Sequence, residues 1–259
     1  MAQAERRWFI LKYFLTILLC VCILSLSWMI YVYSLPQSID MEAVKMMKPM
    51  TCSIDGNIVK ETKSNTETIC YRQAHYETLN NEKVLIMGNS LSVGMNNVDE
   101  DKYDFIAKGS ATLRSTRLEG RYEQIKDSDF ETVIICFGTN AMYWDLETWQ
   151  YEFGILFEEI YKVNPNADIV ISTPPPFSKA LSDRDGYLTN KNVKRCSEYF
   201  KQIAEENNVY YLDCSKLFGD VLDDSISGDG VHLTSKWYKI WLEFLIEETG
   251  KMEKLVFDE

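Results

Sequence analysis

Ser90 and His232 are residue types that can together carry out nucleophilic catalysis. Ser90 follows an apolar run in the segment LIMGNSLSVGM (85–95), and His232 lies in SGDGVHLTSKW (227–237). A serine hydroxyl needs an adjacent base to become a nucleophile, and a neutral imidazole is the usual one. Asp229 precedes His232 by three residues, close enough in a turn to bond and orient the ring. We therefore expect Ser90, His232 and Asp229 to act together as nucleophile, base and orienting acid.

Attack of a serine on an ester carbonyl creates an oxyanion that hydrogen-bond donors must stabilise. The candidate donors are the backbone N–H groups of Ser90 and Gly109 and the side-chain amide of Asn140. Gly109 lies in AKGSATL (107–113) and Asn140 in FGTNAMYW (137–144). Each segment taken alone has a structural alternative. Asp229 and His232 also fit a loop-to-helix turn with a capping Asp and an exposed His.

Further candidates lie beside these segments. Tyr143 and Trp144 are candidates to stack on sugar rings at the mouth of a pocket, and Asn89 is a third candidate for substrate contact. The alternative for the aromatic segment is that Trp149 and its neighbours belong to a helix core. His75, in RQAHYETLN (72–80), has no obvious catalytic partner beside it, and we expect it to lie on the surface.

Alternating strand and helix patterns must position these residues. Short apolar, β-branched runs predict strands buried on both faces, as in parallel sheets, at 83–88, 103–109, 131–138, 167–175 and 208–213. Apolar residues spaced three and four apart predict helices at 146–165, 190–208 and 234–250. This alternation predicts an α/β fold, a three-layer αβα sandwich around a mostly parallel, doubly wound, flavodoxin-like sheet. Its ligand site is expected at the carboxyl ends of the strands.

In this order, MGNSLSVGM (87–95), AKGSATL, FGTNAMYW and GDGVHLT (228–234) resemble the four sequence blocks of the SGNH (GDSL-type) esterase and acyltransferase superfamily. The resemblance implies that Ser90 is the nucleophile and His232 the general base. It also implies that Gly109 and Asn140 join Ser90 in the oxyanion hole, with Asp229 as the third member of the triad. No metal ion or cofactor is required for this chemistry.

The sequence departs from the family pattern at two positions. The first block usually reads Gly-Asp-Ser, but Asn89 replaces the Asp here. That acid is not the triad carboxylate, and Asn89 has the same shape and can still bond the neighbouring backbone. The third block often continues Asn-Asp, whereas Ala141 follows Asn140. We expect a working site, because Asn140 itself is retained.

The N-terminus predicts a membrane anchor. Residues 13–35 hold no charge, a length that at 1.5 Å per residue crosses a hydrocarbon core of roughly 30 Å. The basic residues Arg6, Arg7 and Lys12 precede this span, which predicts a cytoplasmic N-terminus and an extracytoplasmic C-terminal part. The alternative is a core helix of a soluble protein. We expect an anchor over 1–35, a stalk or cap over 36–80 and an SGNH-like catalytic domain over 81–259.

Charge and cysteine content limit the binding partners and the disulfides that we expect. The formal net charge is −12, and the acidic excess falls beyond the predicted anchor. Such a surface repels phosphate backbones, which argues against nucleic acid as a partner. Cys52 and Cys70 are candidates to pair in an oxidising compartment, whereas Cys136, within TVIICFG (132–138), is expected to be a small buried hydrophobic residue.

The expected function is that of a membrane-anchored serine esterase at the cell surface. It would act through an acyl-enzyme on ester groups, O-acetyl groups above all, of a carbohydrate or cell-surface glycan. One alternative is an O-acyltransferase that acylates a surface polysaccharide, with a multi-spanning membrane partner supplying the acyl donor. A second alternative is a glycan-binding protein without catalysis, against which the intact set of five family residues argues.

Overall fold

The computed structural model describes Cys52–Asp55, Ile58–Glu61 and residues 74–99 and 101–257. The predicted membrane span at 13–35 and Cys70 lie outside these residues, so neither the anchor nor the Cys52–Cys70 pairing is tested here. In the described part of the chain, no helix is both long and apolar enough to cross a membrane.

A five-stranded parallel sheet forms the centre of the catalytic domain. Its strands are β4 (Val84–Gly88), β5 (Asp104–Ala107), β6 (Thr132–Cys136), β7 (Asp168–Ser172) and β8 (Tyr210–Leu212). The order across the sheet is β5-β4-β6-β7-β8, and all four neighbouring pairs are parallel. This is the flavodoxin-like order, in which the chain reverses its direction of travel after the second strand. The predicted α/β fold is thereby confirmed for this part of the chain.

Helices cover both faces of the sheet. They are α1 (Ser90–Asn96), α2 (Leu113–Leu118), α3 (Leu146–Val163), α4 (Lys179–Arg184), α5 (Asn190–Asn207), α6 (Ser215–Phe218) and α7 (Ser235–Thr249). One hydrophobic core contains side chains of α2, α3 and α5, and a second contains side chains of α1, α6 and α7. Successive strand residues alternate between the two cores. In β4, for example, Leu85 and Met87 join the first core, whereas Val84 and Ile86 join the second. The three predicted layers follow from this alternation.

The remaining strands form two antiparallel pairs. β1 (Cys52–Asp55) pairs with β2 (Ile58–Glu61), and β3 (Ala74–Thr78) pairs with β9 (Glu253–Phe257). The segment 36–80, predicted as a stalk or cap, contains three short strands, β1, β2 and β3. The sequence of β3 has no strand pattern that marks it. Its pairing with β9, near the C-terminus, arises only in the folded chain. The boundary between the predicted stalk and the catalytic domain stays a prediction.

The β3–β9 pair lies at the amino ends of the sheet strands. The Lys254 ammonium bonds Asp168 Oδ2 at 2.8 Å, where β7 begins, and Thr132 Oγ1 donates to Asn80 O at 2.6 Å, where β6 begins. The hydroxyl of Tyr210, the first residue of β8, donates to the carbonyl of Glu253 at 3.2 Å. The β3–β9 pair therefore lies at the end of the sheet opposite to the carboxyl ends of its strands.

Candidate active site

Ser90 stands where β4 ends and α1 begins. Every residue of β4 is buried, and Ser90 is the first residue of the helix. The turn between them requires glycine at position 88. A Cβ on Gly88 would lie 1.9 Å from Ser92 Oγ and 2.8 Å from the carbonyl oxygen of Cys136. The close approach of α1 to the sheet edge thus sets the position of Ser90.

Asn89 acts as the N-cap of α1. Its Oδ1 accepts the backbone N–H of Leu91 at 3.0 Å, which satisfies one of the free donors of the first turn. The side chain is 1% exposed, and its Nδ2 has no hydrogen-bond partner among the described residues. The substrate contact predicted for Asn89 gains no support from the structure, because the side chain is buried and its Oδ1 is bonded to the backbone.

His232 links Ser90 to Asp229. Its Nδ1 lies 2.7 Å from Asp229 Oδ2, and its Nε2 lies 3.0 Å from Ser90 Oγ. An ionised carboxylate only accepts hydrogen bonds, so Nδ1 must carry the proton in this pair. In the neutral ring Nε2 is then left as an acceptor, and the hydroxyl of Ser90 donates to it. The geometry meets the requirement for a serine with an adjacent, oriented base.

The loop backbone fixes the carboxylate of Asp229. Its Oδ1 accepts the N–H groups of Val231 at 2.8 Å and of His232 at 2.7 Å. Partial burial raises the pKa of Asp229, but the hydrogen bonds from the ring and backbone of His232 outweigh it and lower that pKa to about 2. Asp229 is therefore ionised throughout the neutral range, as an acid that orients an imidazole must be.

Hydrogen bonds within the loop that carries Asp229, and one bond to the loop after β7, fix its conformation. The N–H of Gly230 donates to Ser227 Oγ at 2.9 Å, and the carbonyl of Gly230 accepts the N–H of Ser178 at 3.0 Å. The N–H of Thr234 donates to the carbonyl of Ile226 at 3.0 Å just before α7 begins. These contacts close the loop on itself and deliver His232 to the sheet edge.

Asn140 and the Gly109 loop meet at one hydrogen bond. The side-chain Nδ2 of Asn140 donates to the carbonyl of Ala111 at 3.1 Å, and Asn140 is half-buried. One N–H of the Asn140 amide is thereby fixed, which leaves the other for a ligand. Gly109 is exposed at the carboxyl end of β5. Since β4, β5 and β6 are neighbours, the three predicted oxyanion donors come from adjacent strand ends.

The two predicted aromatic contacts differ in exposure. Tyr143 is 66% exposed, and its ring lies 5.6 Å from that of Tyr187. Trp144 is only 5% exposed and packs edge-on against Trp149, with 4.7 Å between ring centroids. Tyr143 is available to a ligand in the described structure, whereas Trp144 and Trp149 belong to the core. The helix-core alternative for Trp149 is thus the one observed.

Sequence reasoning missed an ion-pair cluster beside the site. Glu152 of α3 is fully buried and accepts hydrogen bonds from Arg114 Nε at 2.6 Å and from Arg117 Nε and Nη2, both at 3.2 Å. The signal was present in the sequence, because Glu152 falls three residues after Trp149 on the apolar face of α3. A charge at such a position needs a partner.

His75 and Cys136 have the exposure that the sequence predicted for them. His75 in β3 is half exposed, in accord with the expected surface position, and its Nε2 lies 2.9 Å from Glu77 Oε1. Cys136 is buried as expected, and that burial raises the pKa of its thiol.

Comparisons with known proteins agree with this architecture. A protein from Streptococcus pneumoniae, proposed to be a platelet activating factor, is 11% identical over 67% of this chain and 84% of its own, with a TM-score of 0.54. A proposed SGNH hydrolase from Slackia heliotrinireducens is 19% identical over 64% of this chain and 98% of its own, with a TM-score of 0.53. A GDSL-like lipase from Bacteroides thetaiotaomicron is 15% identical over 66% and 89%, with a TM-score of 0.51. At these identities the likeness shows the fold alone.

No curated protein matches the chain significantly. The model of the GDSL-like lipase/acylhydrolase family, however, matches residues 87–240. That range runs from the end of β4 into α7 and contains the whole hydrogen-bonded chain from Ser90 to Asp229. The protein therefore belongs to the GDSL-like lipase/acylhydrolase family and is an SGNH-type hydrolase.

Proposed function

We propose that this hydrolase is a membrane-anchored, extracytoplasmic serine esterase that removes acyl groups, acetyl above all, from a carbohydrate or cell-surface glycan. The observation that carries the proposal is the continuous chain of hydrogen bonds from Ser90 through His232 to Asp229, at 3.0 and 2.7 Å. Both distances lie within the range in which a proton can pass between nucleophile and base.

The proposed reaction has two halves. His232 Nε2 takes the proton of Ser90 as Oγ attacks the ester carbonyl, and Asp229 stabilises the resulting imidazolium. The N–H groups of Ser90 and Gly109 and the amide of Asn140 donate to the oxyanion. His232 then protonates the leaving alcohol oxygen as its bond to the acyl carbon breaks. In the second half, water gives a proton to His232 and attacks the acyl carbon, and His232 then returns that proton to Ser90 Oγ as the bond from Oγ to the acyl carbon breaks and the carboxylic acid leaves.

Solvent access favours water over a sugar hydroxyl as the final acceptor. The side chains of His232 and Asp229 are 48% and 56% exposed within the described structure. Transfer requires that water be kept from the acyl-enzyme, which closed sites achieve by excluding solvent. A triad open to this degree gives water direct access to the ester of Ser90.

Exposed aromatic surface beside the site supports a carbohydrate substrate. Tyr143 lies three residues after Asn140, is 66% exposed and packs with Tyr187. Aromatic side chains present a large rigid apolar face together with a polar hydroxyl, which suits the mixed surface of a sugar ring. The rings therefore offer a platform next to the proposed oxyanion hole.

The test of the proposal is acetate release. The full chain, purified in detergent, is expected to release acetate from acetylated oligosaccharides and to hydrolyse p-nitrophenyl acetate. Ser90→Ala and His232→Ala should each lower kcat by at least about a thousandfold, because the triad acts as a unit. Turnover by both variants equal to that of the wild type would refute the proposal.

An acceptor experiment separates hydrolysis from transfer. The same acetyl donor is supplied together with unacetylated oligosaccharides, and both free acetate and acetylated sugar are measured by mass spectrometry. We expect free acetate as the main product. Acetylated sugar in excess of free acetate would make transfer the reaction.

The predicted location has its own test. In intact cells that express the chain, a C-terminal epitope should be accessible to added protease only from outside the membrane. Protection of the epitope in intact cells and its loss after lysis would contradict the extracytoplasmic placement.

A further inference from the structure

Arg114 carries a guanidinium group that is held in place but has unused donors. Its Nε donates to Glu152 Oε1 at 2.6 Å, and its Cζ lies 5.0 Å from the centre of the Trp144 ring. Within the described residues neither Nη atom of Arg114 makes a hydrogen bond, and the side chain is 46% exposed. An arginine held through Nε presents Nη1 and Nη2 as a planar pair of donors, which matches two oxygens of a carboxylate or phosphate.

The positive charge of Arg114 is available to a ligand. Arg117 donates to the same carboxylate of Glu152 through Nε and Nη2, both at 3.2 Å. One carboxylate therefore faces two guanidinium groups, and the cluster of Arg114, Arg117 and Glu152 has an excess positive charge. The local positive charge contrasts with the formal net charge of the whole chain, which is −12. An anionic substrate approaching such a protein is repelled in general and needs a local cation where it binds.

The cluster lies beside the proposed oxyanion hole. Asn140 bonds the carbonyl of Ala111 at 3.1 Å, which joins the loops after β5 and β6 at one point. Arg114 follows Ala111 by three residues, at most about 11 Å of backbone, and Trp144 follows Asn140 by four. Arg114 and Trp144 then meet again through the guanidinium-to-ring contact. The guanidinium and the exposed Tyr143 therefore share a neighbour, since the Tyr143 ring centroid lies 6.4 Å from that of Trp144.

We propose that Arg114 binds an anionic group, a carboxylate or a phosphate, on the saccharide whose ester is cleaved at Ser90. Glu152 is its positioning residue, because the buried carboxylate and the face of Trp144 together fix the plane of the guanidinium. This inference rests on the proposed esterase function for the identity of the cleaved bond. It adds that the preferred saccharide is charged.

Binding to the Ser90→Ala full chain tests the proposal without turnover. The probes are methyl galactopyranoside, the corresponding galactopyranosiduronate and the galactopyranoside 6-phosphate, which differ only at C6. Dissociation constants are measured by NMR titration. We expect the uronate, the phosphate or both to bind about tenfold more tightly than the neutral glycoside, equivalent to about 1.4 kcal/mol. Preference for one anion identifies which of the two the site takes.

The variant Arg114→Met, made in the same background, should abolish this preference. Methionine retains an apolar contact with Trp144, and Arg117 still neutralises Glu152, so the fold has no unpaired buried charge. Lys201→Met is the control for overall charge. Lys201 is exposed on α5, and its substitution by methionine removes one positive charge, as Arg114→Met does. Equal binding of all three probes, a preference that survives Arg114→Met, or an equal loss in Lys201→Met would overturn the proposal.

The positioning role of Glu152 has a separate readout. Glu152→Gln should lower the ratio of neutral to anionic dissociation constants, and Glu152→Asp should restore part of it, since the charge returns on a shorter side chain. A ratio in Glu152→Asp no higher than in Glu152→Gln would refute positioning through charge. Acetate release by the wild type is measured in parallel. Its absence, with the anion preference intact, would count against the esterase function alone.

Discussion

At the scale of single residues, the two oxygens of Asp229 have separate tasks. Oδ1 accepts two backbone N–H groups from its own loop, and Oδ2 accepts the proton-bearing Nδ1 of His232. The backbone bonds to Oδ1 thus orient the carboxylate independently of its bond to the ring. The same bonds that orient the ring also stabilise the charged form of Asp229, so its ionisation is coupled to folding.

The variant Asp229→Asn tests this coupling through its pH dependence. A pKa lowered in the folded state from 3.8 to about 2 contributes stability that is fully present above pH 3.8 and is lost as the pH falls towards 2. The wild type should therefore exceed Asp229→Asn in free energy of unfolding at pH 7, and the difference should shrink between those two pH values. Urea denaturation at pH 7, 4 and 2 measures it. A difference that stays constant over this range would contradict the lowered pKa.

Asn89 shows how a departure from the family pattern is accommodated. The usual Asp and this Asn share the Oδ1 acceptor that caps α1, and only this atom is bonded. What Asn89 adds is a buried Nδ2 donor without a partner among the described residues, a feature that costs stability.

We expect Asn89→Ala to lower the free energy of unfolding by about 1 kcal/mol, since it removes the N-cap of α1. Asn89→Asp retains the acceptor and should therefore lose clearly less stability than Asn89→Ala. Urea denaturation at neutral pH compares the three proteins. Equal loss in both variants would show that Oδ1 does not act as the cap.

At the scale of elements, the loop after β6 is confined by the loop after β7. Gly138 has φ = +137°, which side chains rarely adopt, and an added Cβ would lie 2.9 Å from Pro174 Cγ. Pro174 is itself buried after β7. The residues that follow Gly138 include Asn140, so this contact determines where the proposed oxyanion donor lies. The packing of Pro174 against Gly138 therefore restricts the conformation of the loop after β6.

Gly138→Ala is therefore expected to destabilise the protein by more than about 1 kcal/mol and to lower kcat as Asn140 shifts. Gly154→Ala is the matched control. Gly154 lies inside α3, and an added Cβ there meets nothing within 4 Å. Gly154→Ala should raise the free energy of unfolding by about 0.5–1 kcal/mol, because alanine has a higher helix propensity than glycine. Thermal unfolding and initial rates measure both, and similar effects of the two substitutions would refute the argument.

At the scale of the whole domain, the sheet separates the β3–β9 pair from the triad and the proposed oxyanion hole. The strands point their carboxyl ends towards Ser90, Gly109 and Asn140, whereas β9 and Asn80, which follows β3, bond to the amino ends. Changes to the β3–β9 pair should therefore affect stability and leave the catalytic geometry in place.

Removal of residues 253–259 tests that separation. The deletion takes away β9 and the bond from Lys254 to Asp168, and it leaves β3 unpaired. We expect a lower Tm, with kcat at 25 °C within about twofold of the wild type for the folded fraction, because the central sheet has its own core. Loss of activity in protein that remains folded by circular dichroism would show that the two ends are coupled.

The sequence by itself determined the alternation of strands and helices and the order of the four blocks. Both are local signals: buried strands such as β4, β6 and β7 are short apolar runs, and the long helices α3, α5 and α7 carry apolar residues at helical spacing. The direction of a parallel sheet then places Ser90, Gly109 and Asn140 at one edge, so the candidate site was predictable as a set of residues. The elements that carry too few residues for such a period were missed: the short helices α1, α2, α4 and α6 and the strands β1, β2, β3 and β9.

Only the tertiary structure decided which side chains within those segments meet. It placed His232 Nε2 at 3.0 Å from Ser90 although 142 residues separate them, buried Trp144 while exposing its neighbour Tyr143, and paired β3 with β9. It also enclosed Glu152 between Arg114 and Arg117, which orients the guanidinium proposed to bind an anion. Each of these depends on contacts between residues distant in the chain. A local pattern records how one segment buries its own apolar face, and it carries no information about the partner that covers it.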